Sequence, residues 1–126
     1  MKIAIASDMD GAALKAQLVA HLLQKGHEVI DMDYTAGAAG CAALVASSVA
    51  SGQAGGGILI SATGISVSVA ANRFEGIRAS VCPDTYAAGY GAGQEGMNVL
   101  CLGAGSCGVE LSKELVSSFI NALPGS

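Results

Sequence analysis

The chain alternates between short apolar runs and longer segments whose apolar residues recur every three or four positions. A short apolar run bounded by glycine or acid is typical of a buried strand, and the longer spacing is typical of a helix. The pattern predicts strands at residues 2–7, 28–32, 57–60, 77–82 and 98–102. It predicts helices at 12–25, 41–51, 65–73, about 83–90 and 109–122, with a loop at 35–40.

Two parts of this pattern differ in strength. The last helix has a clear buried stripe that includes Leu115, Val116 and Phe119. The fourth is weak, and we expect it to dissolve at Gly89, Gly91 and Gly93 because glycine disfavours helix interiors.

Strands and helices that alternate with short loops predict an α/β fold, an open five-stranded parallel sheet covered by helices on both faces. In such sheets ligands bind beyond the carboxyl ends of the strands, where the strand order switches. The positions to examine are therefore residues 8–11, 61–64, 83–85 and 103–108.

The composition adds a prediction about assembly. The 126 residues suffice for one domain, and 52% of them are apolar while only 13% are charged. An average globular chain carries about 25% charged residues. So little charge leaves apolar surface exposed, and we predict that another subunit covers part of it.

Charge and cysteine usage exclude several classes of partner. A net charge of −4 with only six basic residues, no three of them adjacent, argues against nucleic acid. The four cysteines have no metal-site spacing, so we expect reduced thiols and no metal. No apolar run reaches membrane-spanning length, and Asp8 and Asp10 interrupt the first one, which predicts no membrane contact and a cytoplasmic location.

The turn at residues 61–64 is the strongest candidate for chemistry. It follows the third strand, opens a helix and offers the hydroxyls of Ser61 and Thr63 beside free N–H groups, an arrangement that holds anions such as phosphate or an enediolate. Small hydroxyls in tight turns also commonly satisfy the backbone. Asp8 and Asp10 could hold a sugar hydroxyl or act as a base, or could cap a helix. The residues alone leave these alternatives open.

A glycine pattern in the last turn invites a nucleotide interpretation. Gly103, Gly105 and Gly108 have the dinucleotide-binding spacing between a strand and a helix. No strand follows to supply the acidic residue that would hold a ribose, so we expect no dinucleotide cofactor.

Segments along almost the whole chain resemble type B ribose-5-phosphate isomerases, a family that includes the galactose-6-phosphate isomerase subunits. The matching segments are MKIAIASD at 1–8, GHEVID at 26–31, GGILI at 56–60, AANR at 70–73, GIRA at 76–79 and NVL at 98–100. The resemblance implies a Rossmann-like three-layer α/β/α sandwich with a five-stranded parallel sheet, dimers or tetramers, and no cofactor. It also implies one domain over residues 1–126 that lacks the family's C-terminal extension.

The family interconverts phosphorylated aldoses and ketoses through a cis-enediol. A base removes the proton next to the carbonyl, and an acid opens the sugar ring. Carried onto this sequence, the resemblance places catalytic positions at Ser61, Thr63 and Asp8. It places substrate-binding positions at Asp8, Met9, Gly64, Ser66, Tyr86, Gln94, Glu95 and Asn98.

Several of these positions depart from the family's pattern. Ser61 stands where the family usually has its cysteine base, and Val67 stands where some members have a glutamate. Gln94 replaces the ring-opening histidine, and Gly105 replaces a phosphate-binding arginine. Met9 and Glu95 stand where the family has a histidine and an asparagine. A serine hydroxyl is a much poorer base than a thiolate, and losing a general acid or base costs about 10²–10⁴-fold in rate.

Three hypotheses follow from these departures. The chain is an aldose–ketose isomerase of the ribose-5-phosphate or galactose-6-phosphate type that uses Asp8, Asp10 or Glu95 as its base. Alternatively, it is a catalytically silent member that binds a ligand or partners an intact family member in a hetero-oligomer. The third hypothesis is an engineered or degenerate scaffold, suggested by the density of alanine, glycine and serine. These hypotheses predict two kinds of partner. One is a phosphorylated sugar, and the other is a further subunit, either a second copy of the chain or an intact family member.

Overall fold

The computed structural model describes residues 1–32 and 37–126, which form one five-stranded parallel sheet with helices on both faces. The strands are β1 (Lys2–Ser7), β2 (Glu28–Asp31), β3 (Gly56–Ser61), β4 (Ala79–Val81) and β5 (Val99–Gly103). They lie in the order β2-β1-β3-β5-β4. The predicted parallel sheet and three-layer architecture are confirmed.

Five α-helices alternate with the strands, as the sequence predicts. They are α1 (Ala12–Gln24), α2 (Gly37–Ala50), α3 (Ile65–Ala71), α4 (Thr85–Gln94) and α5 (Val109–Ala122). A short 3-10 turn, Met9–Gly11, precedes α1. The bounds of α5 are those predicted, because a regular apolar stripe marks its buried face.

The alternation of side chains along each strand divides the core into two halves. Ile3, Ile5, Ile58, Ile60 and Leu100 face one side, where α1, α4 and α5 pack, as the residues of this first cluster show. The neighbouring positions Ala4, Leu59 and Cys101 face the other side, beneath α2 and α3. Period-two alternation in buried parallel strands produces these two layers.

Two predicted elements need correction. Residues 37–40, expected in a loop, belong to α2, because alanine is the best helix former and this turn continues onto a helix that packs on the sheet. Residues 35–36 of that expected loop lie outside the described residues. α4 does not dissolve at its glycines but runs through them to Gln94, since Asp84 Oδ1 accepts a hydrogen bond from Ala87 N (2.8 Å) and the helix packs along α5.

The strand order identifies the edge of the sheet at which a ligand site is expected. The chain leaves β1 toward β2 on one side, while β3 and β5 lie on the other, so the order switches between β1 and β3. The register aligns Ser7 with Ile60 and Ser61 with Gly103. Three strands thus end side by side at this carboxyl edge. No helix among the described residues is long and apolar enough to cross a membrane.

Candidate functional site

The carboxyl edge brings Asp8 and Ser61 together. Asp8 N donates a hydrogen bond to Ile60 O (3.1 Å), so the parallel pairing of β1 and β3 continues one residue beyond Ser7. Neighbouring strands lie about 4.8 Å apart, which places the Asp8 and Ser61 backbones next to each other. The structure therefore joins two of the three predicted catalytic positions on adjacent strands.

The predicted hydroxyls are both used by the turn itself. Ser61 is buried, and its Oγ accepts a hydrogen bond from Gly64 N (2.8 Å). Thr63 Oγ1 accepts one from Ile65 N (3.2 Å), although Thr63 is exposed. Of the two alternatives for these hydroxyls, the structure contains the one in which they satisfy the backbone.

One N–H group at the start of α3 remains for a ligand. An α-helix leaves its first N–H groups without intrahelical partners. Gly64 N and Ile65 N are taken by the two hydroxyls, and Val67 is fully buried. Ser66 is exposed, and its N has no acceptor within the described residues. The capacity of the turn to hold an anion therefore rests on Ser66 N.

The loop after β5 holds the turn at residues 61–64 in place through two backbone hydrogen bonds. Ala104 N donates to Ser61 O (2.8 Å), and Gly105 N donates to Ala62 O (2.9 Å). A Cβ at Gly103 would lie 2.8 Å from the Thr63 carbonyl, so only glycine allows this approach. Gly64 has φ +80°, a left-handed conformation that also favours glycine. The last glycine-rich turn thus supports residues 61–64.

The two acidic residues after β1 differ in their surroundings. Asp8 is half-buried and caps the 3-10 turn, with Oδ1 accepting from Gly11 N (3.1 Å). Its Oδ2 has no hydrogen-bond donor within the described residues, so it remains available to a ligand. Asp10 is exposed, and so is Met9, whose side chain is 70% accessible.

A lysine that the sequence did not indicate as a site residue also reaches this edge. Lys15 lies in the first turns of α1, and its Nζ contacts Asp31 Oδ1 and Met32 O, both at 2.7 Å, beyond the end of β2. The only available signal was its position one turn after Asp10. Because Asp31 neutralises the ammonium, Lys15 does not offer a free charge to a phosphate.

Three predicted substrate-binding residues lie at the opposite edge. α4 runs back from the carboxyl end of β4, and its ten residues span about 15 Å, which places Gln94 and Glu95 near the start of β5. Asn98 precedes β5, and its side chain accepts from Arg78 N (2.9 Å) and donates to Gly76 O (2.9 Å). Within one chain, these three residues therefore lie at the opposite edge of the sheet from Ser61.

A cavity of about 590 Å³ runs beside the outer edge of β4. It is lined by the predicted residues Tyr86 and Glu95, and by Tyr90, whose ring lies 5.7 Å from that of Tyr86. Arg78 lines it too, with Nη1 donating to Glu95 O (2.8 Å). Sequence reasoning gave this arginine no clear place at a site, because nothing local shows that β4 is an edge strand.

Two of the four cysteines, Cys82 and Cys101, cannot serve as a base in place of Ser61. Burial raises the pKa of Cys101 to about 12, and burial together with the charge of Asp84 raises the pKa of Cys82. Both thiols stay protonated at neutral pH, and a protonated thiol is not a base. Within residues 1–32 and 37–126, no group of three or more His, Cys, Asp or Glu side chains could hold a metal ion.

Comparison with known proteins places this geometry in a family. Residues 3–124 match the family model described as Ribose/Galactose Isomerase. Ribose-5-phosphate isomerase B of Escherichia coli is 42% identical over 129 residues, covering 96% of this chain and 84% of that protein. D-erythrulose-4-phosphate isomerase of Pectobacterium atrosepticum is 34% identical, covering 97% of this chain and 84% of that protein.

A solved structure agrees with the sequence comparison. Ribose-5-phosphate isomerase B of Clostridium thermocellum superposes with a TM-score of 0.93 at 35% identity, covering 98% of this chain and 86% of that one. Together with the parallel sheet and its glycine-supported turn, these matches show that the chain belongs to the ribose/galactose isomerase family of sugar-phosphate isomerases.

Proposed function

We propose that this chain binds a phosphorylated sugar at its carboxyl edge but isomerises it slowly, or not at all, when it is alone. The observation that carries the proposal is the hydrogen bond from Gly64 N to Ser61 Oγ. The hydroxyl at the position of the family's base is buried and serves as a backbone acceptor. It is therefore in no position to remove a proton from carbon.

The position of the ring-opening histidine is also changed. Gln94 carries an amide, which does not titrate, in place of the histidine that the family resemblance implies. His21 and His27 line a groove between α1 and α5, away from the carboxyl edge. An aldose–ketose isomerisation needs both a proton acceptor and a proton donor, so both losses act on the same reaction.

Binding is better supported than turnover. Ser66 N and the free Oδ2 of Asp8 lie at the same edge, and together they offer one donor and one acceptor to a phosphorylated sugar. The substrate class follows from the family, because its members are named for ribose-5-phosphate and for erythrulose-4-phosphate. We propose a short phosphorylated aldose or ketose and leave its length open.

A second candidate is an active isomerase in which Asp8 is the base. The observation that favours it is the position of Asp8 beside Ser61, with Oδ2 unoccupied within the described residues. A carboxylate abstracts a carbon-bound proton in other isomerases, so the chemistry is sound. Asp8→Asn tests it, because the amide keeps the cap but cannot accept the proton.

Assembly is part of the proposal. Gln94 and Glu95 lie at the amino edge of the sheet, so they could meet Ser61 only across an interface between chains. We propose a homodimer or larger homo-oligomer, or a hetero-oligomer in which an intact family member supplies the missing groups. In the second case the chain would gain activity only in the presence of that member.

The experiment is an isomerase assay with ribose-5-phosphate, galactose-6-phosphate and erythrulose-4-phosphate, paired with calorimetric binding of each sugar. We expect measurable binding with a rate at least about 10²-fold below that of an intact family member. Binding without turnover supports the proposal, whereas a normal rate overturns it. Activity that Asp8→Asn abolishes would establish the second candidate.

Restoring the missing groups gives a sharper test. Ser61→Cys together with Gln94→His should raise the rate by at least about 10²-fold if those two positions limit catalysis. Ser66→Cys with Gln94→His is the matched control, because it adds the same thiol at an exposed position nearby, in the first turn of α3. A gain in the control as large as in the first variant would refute the assignment of Ser61.

A further inference from the structure

A polar groove lies between α1 and α5, toward the C-terminal ends of both helices and away from the carboxyl edge. Its main cavity has a volume of about 310 Å³. The polar side chains that line it are His21, Lys25, His27, Ser117 and Asn121. They come from three parts of the chain, and no carboxylate lines this cavity.

Lys25 differs from the other lysines of the described chain. Lys2, Lys15 and Lys113 each have a carboxylate oxygen within 4.0 Å, at distances of 3.7, 2.7 and 3.8 Å. Lys25 has none within the same distance among the described residues. Its charge therefore faces the groove without compensation from an acidic side chain.

Both histidines line this groove, and nearby positive charge affects the pKa of each. His21 Nε2 lies 3.1 Å from Ser117 Oγ, and His27 Nδ1 lies 3.5 Å from the amino group of Met1. Burial lowers the pKa of each imidazole, and the nearby charges of Lys25 and Lys113 for His21, and of Met1 for His27, lower it further. Positive charge on either imidazole is thus unfavourable unless an anion binds nearby.

The adjoining cavity contains the opposing charges. It measures about 500 Å³, shares His21, Lys25 and Ser117 with the first, and adds Lys113, Glu110 and Glu114. Glu110 pairs with Lys113, and its charge acts to raise the pKa of His21, opposite to the net shift. The carboxylates therefore lie on the outer side of the groove, and the inner cavity keeps only donors and neutral groups.

We infer that the inner cavity binds a phosphate group, with Lys25 Nζ and the hydrogen-bonded pair of Ser117 Oγ and His21 as its principal donors. These donors approach from α1 on one side and α5 on the other, with His27 at the end. A tetrahedral anion accepts hydrogen bonds from several directions at once, whereas a planar carboxylate accepts them in one plane. The site is independent of isomerisation, since it lies at the other end of the molecule.

A simpler role for the same cations is an interaction with the C-terminal carbonyls of α1. That role accounts for His21 on α1 and for Lys25 just after it, but not for the donors from α5 and from the residue before β2. It also predicts no saturable effect of anions on the ring protons of His27. The two interpretations therefore give different results in one titration.

The test is an NMR titration of the histidine ring protons of the full chain with sulfate, inorganic phosphate and acetate. Sulfate keeps its charge over the range of about pH 5 to 8 in which histidine titrates. We expect saturable shifts of His21 and His27, an upward shift of both pKa values, and tighter sulfate binding as the pH falls. Lys25→Gln should weaken binding about tenfold, and Ser117→Ala should weaken it several-fold.

Arg73→Gln is the charge-matched control, because it removes one positive charge from an exposed position on the far side of the sheet. Its affinity for sulfate should stay within about twofold of the unchanged chain. Shifts that do not saturate, or an equal loss in Arg73→Gln, would overturn the site as a general charge effect. Acetate binding as tight as sulfate binding would overturn the assignment of a tetrahedral anion.

Discussion

At the scale of single residues, polar side chains of the family segments hold the backbone in place. Asn72 is an example: its Nδ2 donates to Ala79 O (2.8 Å), and its Oδ1 accepts from Ala79 N (2.7 Å), so the side chain pairs with β4 as a further strand would. Ser61 and Asn98 serve other backbone groups in the same way. Each of these residues already makes structural hydrogen bonds, and any role in ligand binding has to be compatible with them.

Ser61→Ala tests the structural task of the serine. The change leaves Gly64 N without an acceptor in a buried turn, which should lower the free energy of unfolding by about 1–3 kcal/mol. Ser66→Ala, two residues into the exposed start of α3, should change it by less than about 0.5 kcal/mol. Urea unfolding monitored by circular dichroism measures both. Equal stabilities of the two variants would contradict the capping role of Ser61.

The same residues show where sequence reasoning reaches its limit. The turn at 61–64 and the acid after β1 could be located from the sequence, because strand ends and turn residues leave local patterns. The hydrogen bonds of Asn98 to Arg78 and Gly76 could not, because their partners lie 20 and 22 residues away. Whether a hydroxyl or amide is free for a ligand depends on such contacts.

At the scale of elements, α4 shows how packing overrides local propensity. Three glycines in ten residues weaken the helix pattern, yet α4 runs the full distance along α5. Its glycines differ in their surroundings, since a Cβ at Gly89 or Gly93 would meet only ordinary contacts at 3.7 Å. A Cβ at Gly91 would lie 3.0 Å from the sulfur of Met97, which is tighter than usual. Of the three glycines, only Gly91 therefore lies where close packing disfavours a side chain.

Alanine substitutions in α4 should separate these cases. Gly89→Ala and Gly93→Ala should each raise the free energy of unfolding by about 0.5–1 kcal/mol, because alanine loses less backbone entropy in a helix. Gly91→Ala should gain less or lose stability, since Met97 must move. Urea unfolding of the three variants measures this order. A gain at Gly91 equal to that at Gly89 would show that α4 is not packed as described.

The strand order also lies beyond local patterns. The five strands could be predicted from the sequence, because each is a short apolar run. The position of β5 between β3 and β4 could not, because it depends on which strands pair over long separations. That order makes β4 an edge strand and exposes the cavity that Arg78 and Tyr86 line.

At the scale of the whole molecule, the histidines make stability depend on pH. The folded pKa values of His21 and His27 lie below the ordinary value of 6.5, mainly because of burial. The unfolded chain then binds more protons than the folded chain just below that value, so protonation favours unfolding. The free energy of unfolding should therefore be highest above pH 6.5 and fall as the pH drops through 6.5 toward the folded pKa values.

Replacing both histidines isolates this effect. His21→Gln with His27→Gln should flatten the decline in the free energy of unfolding between about pH 7.5 and 6, a window above the titration of ordinary carboxyl groups. The measurement is urea unfolding at several pH values in a buffer without phosphate or sulfate. A decline of the same slope in the double variant would assign the effect to other groups.

Exposed apolar side chains gather around the β4 edge, and they define what we call the β4-edge patch. The patch consists of Ile65, Val69, Val81, Tyr86 and Tyr90. Val81 and both tyrosines line one cavity, and α3, which carries the other two, packs on β4. Clustered apolar side chains on a chain with so little charge favour an interface with another subunit.

Light scattering should give a mass of two or four times the 12.3 kDa of one chain. Val69→Glu with Tyr90→Glu should shift that mass toward a monomer, because a specific interface cannot bury two unpaired carboxylates without a large cost. Leu23→Glu with Leu44→Glu is the matched control, since both leucines are exposed outside the β4-edge patch. A monomeric unchanged chain would refute the assembly, and an equal shift in the control would refute the place of the interface. If the patch variant becomes monomeric and also loses sugar binding, the carboxyl edge and the β4 edge work together only in the assembled protein.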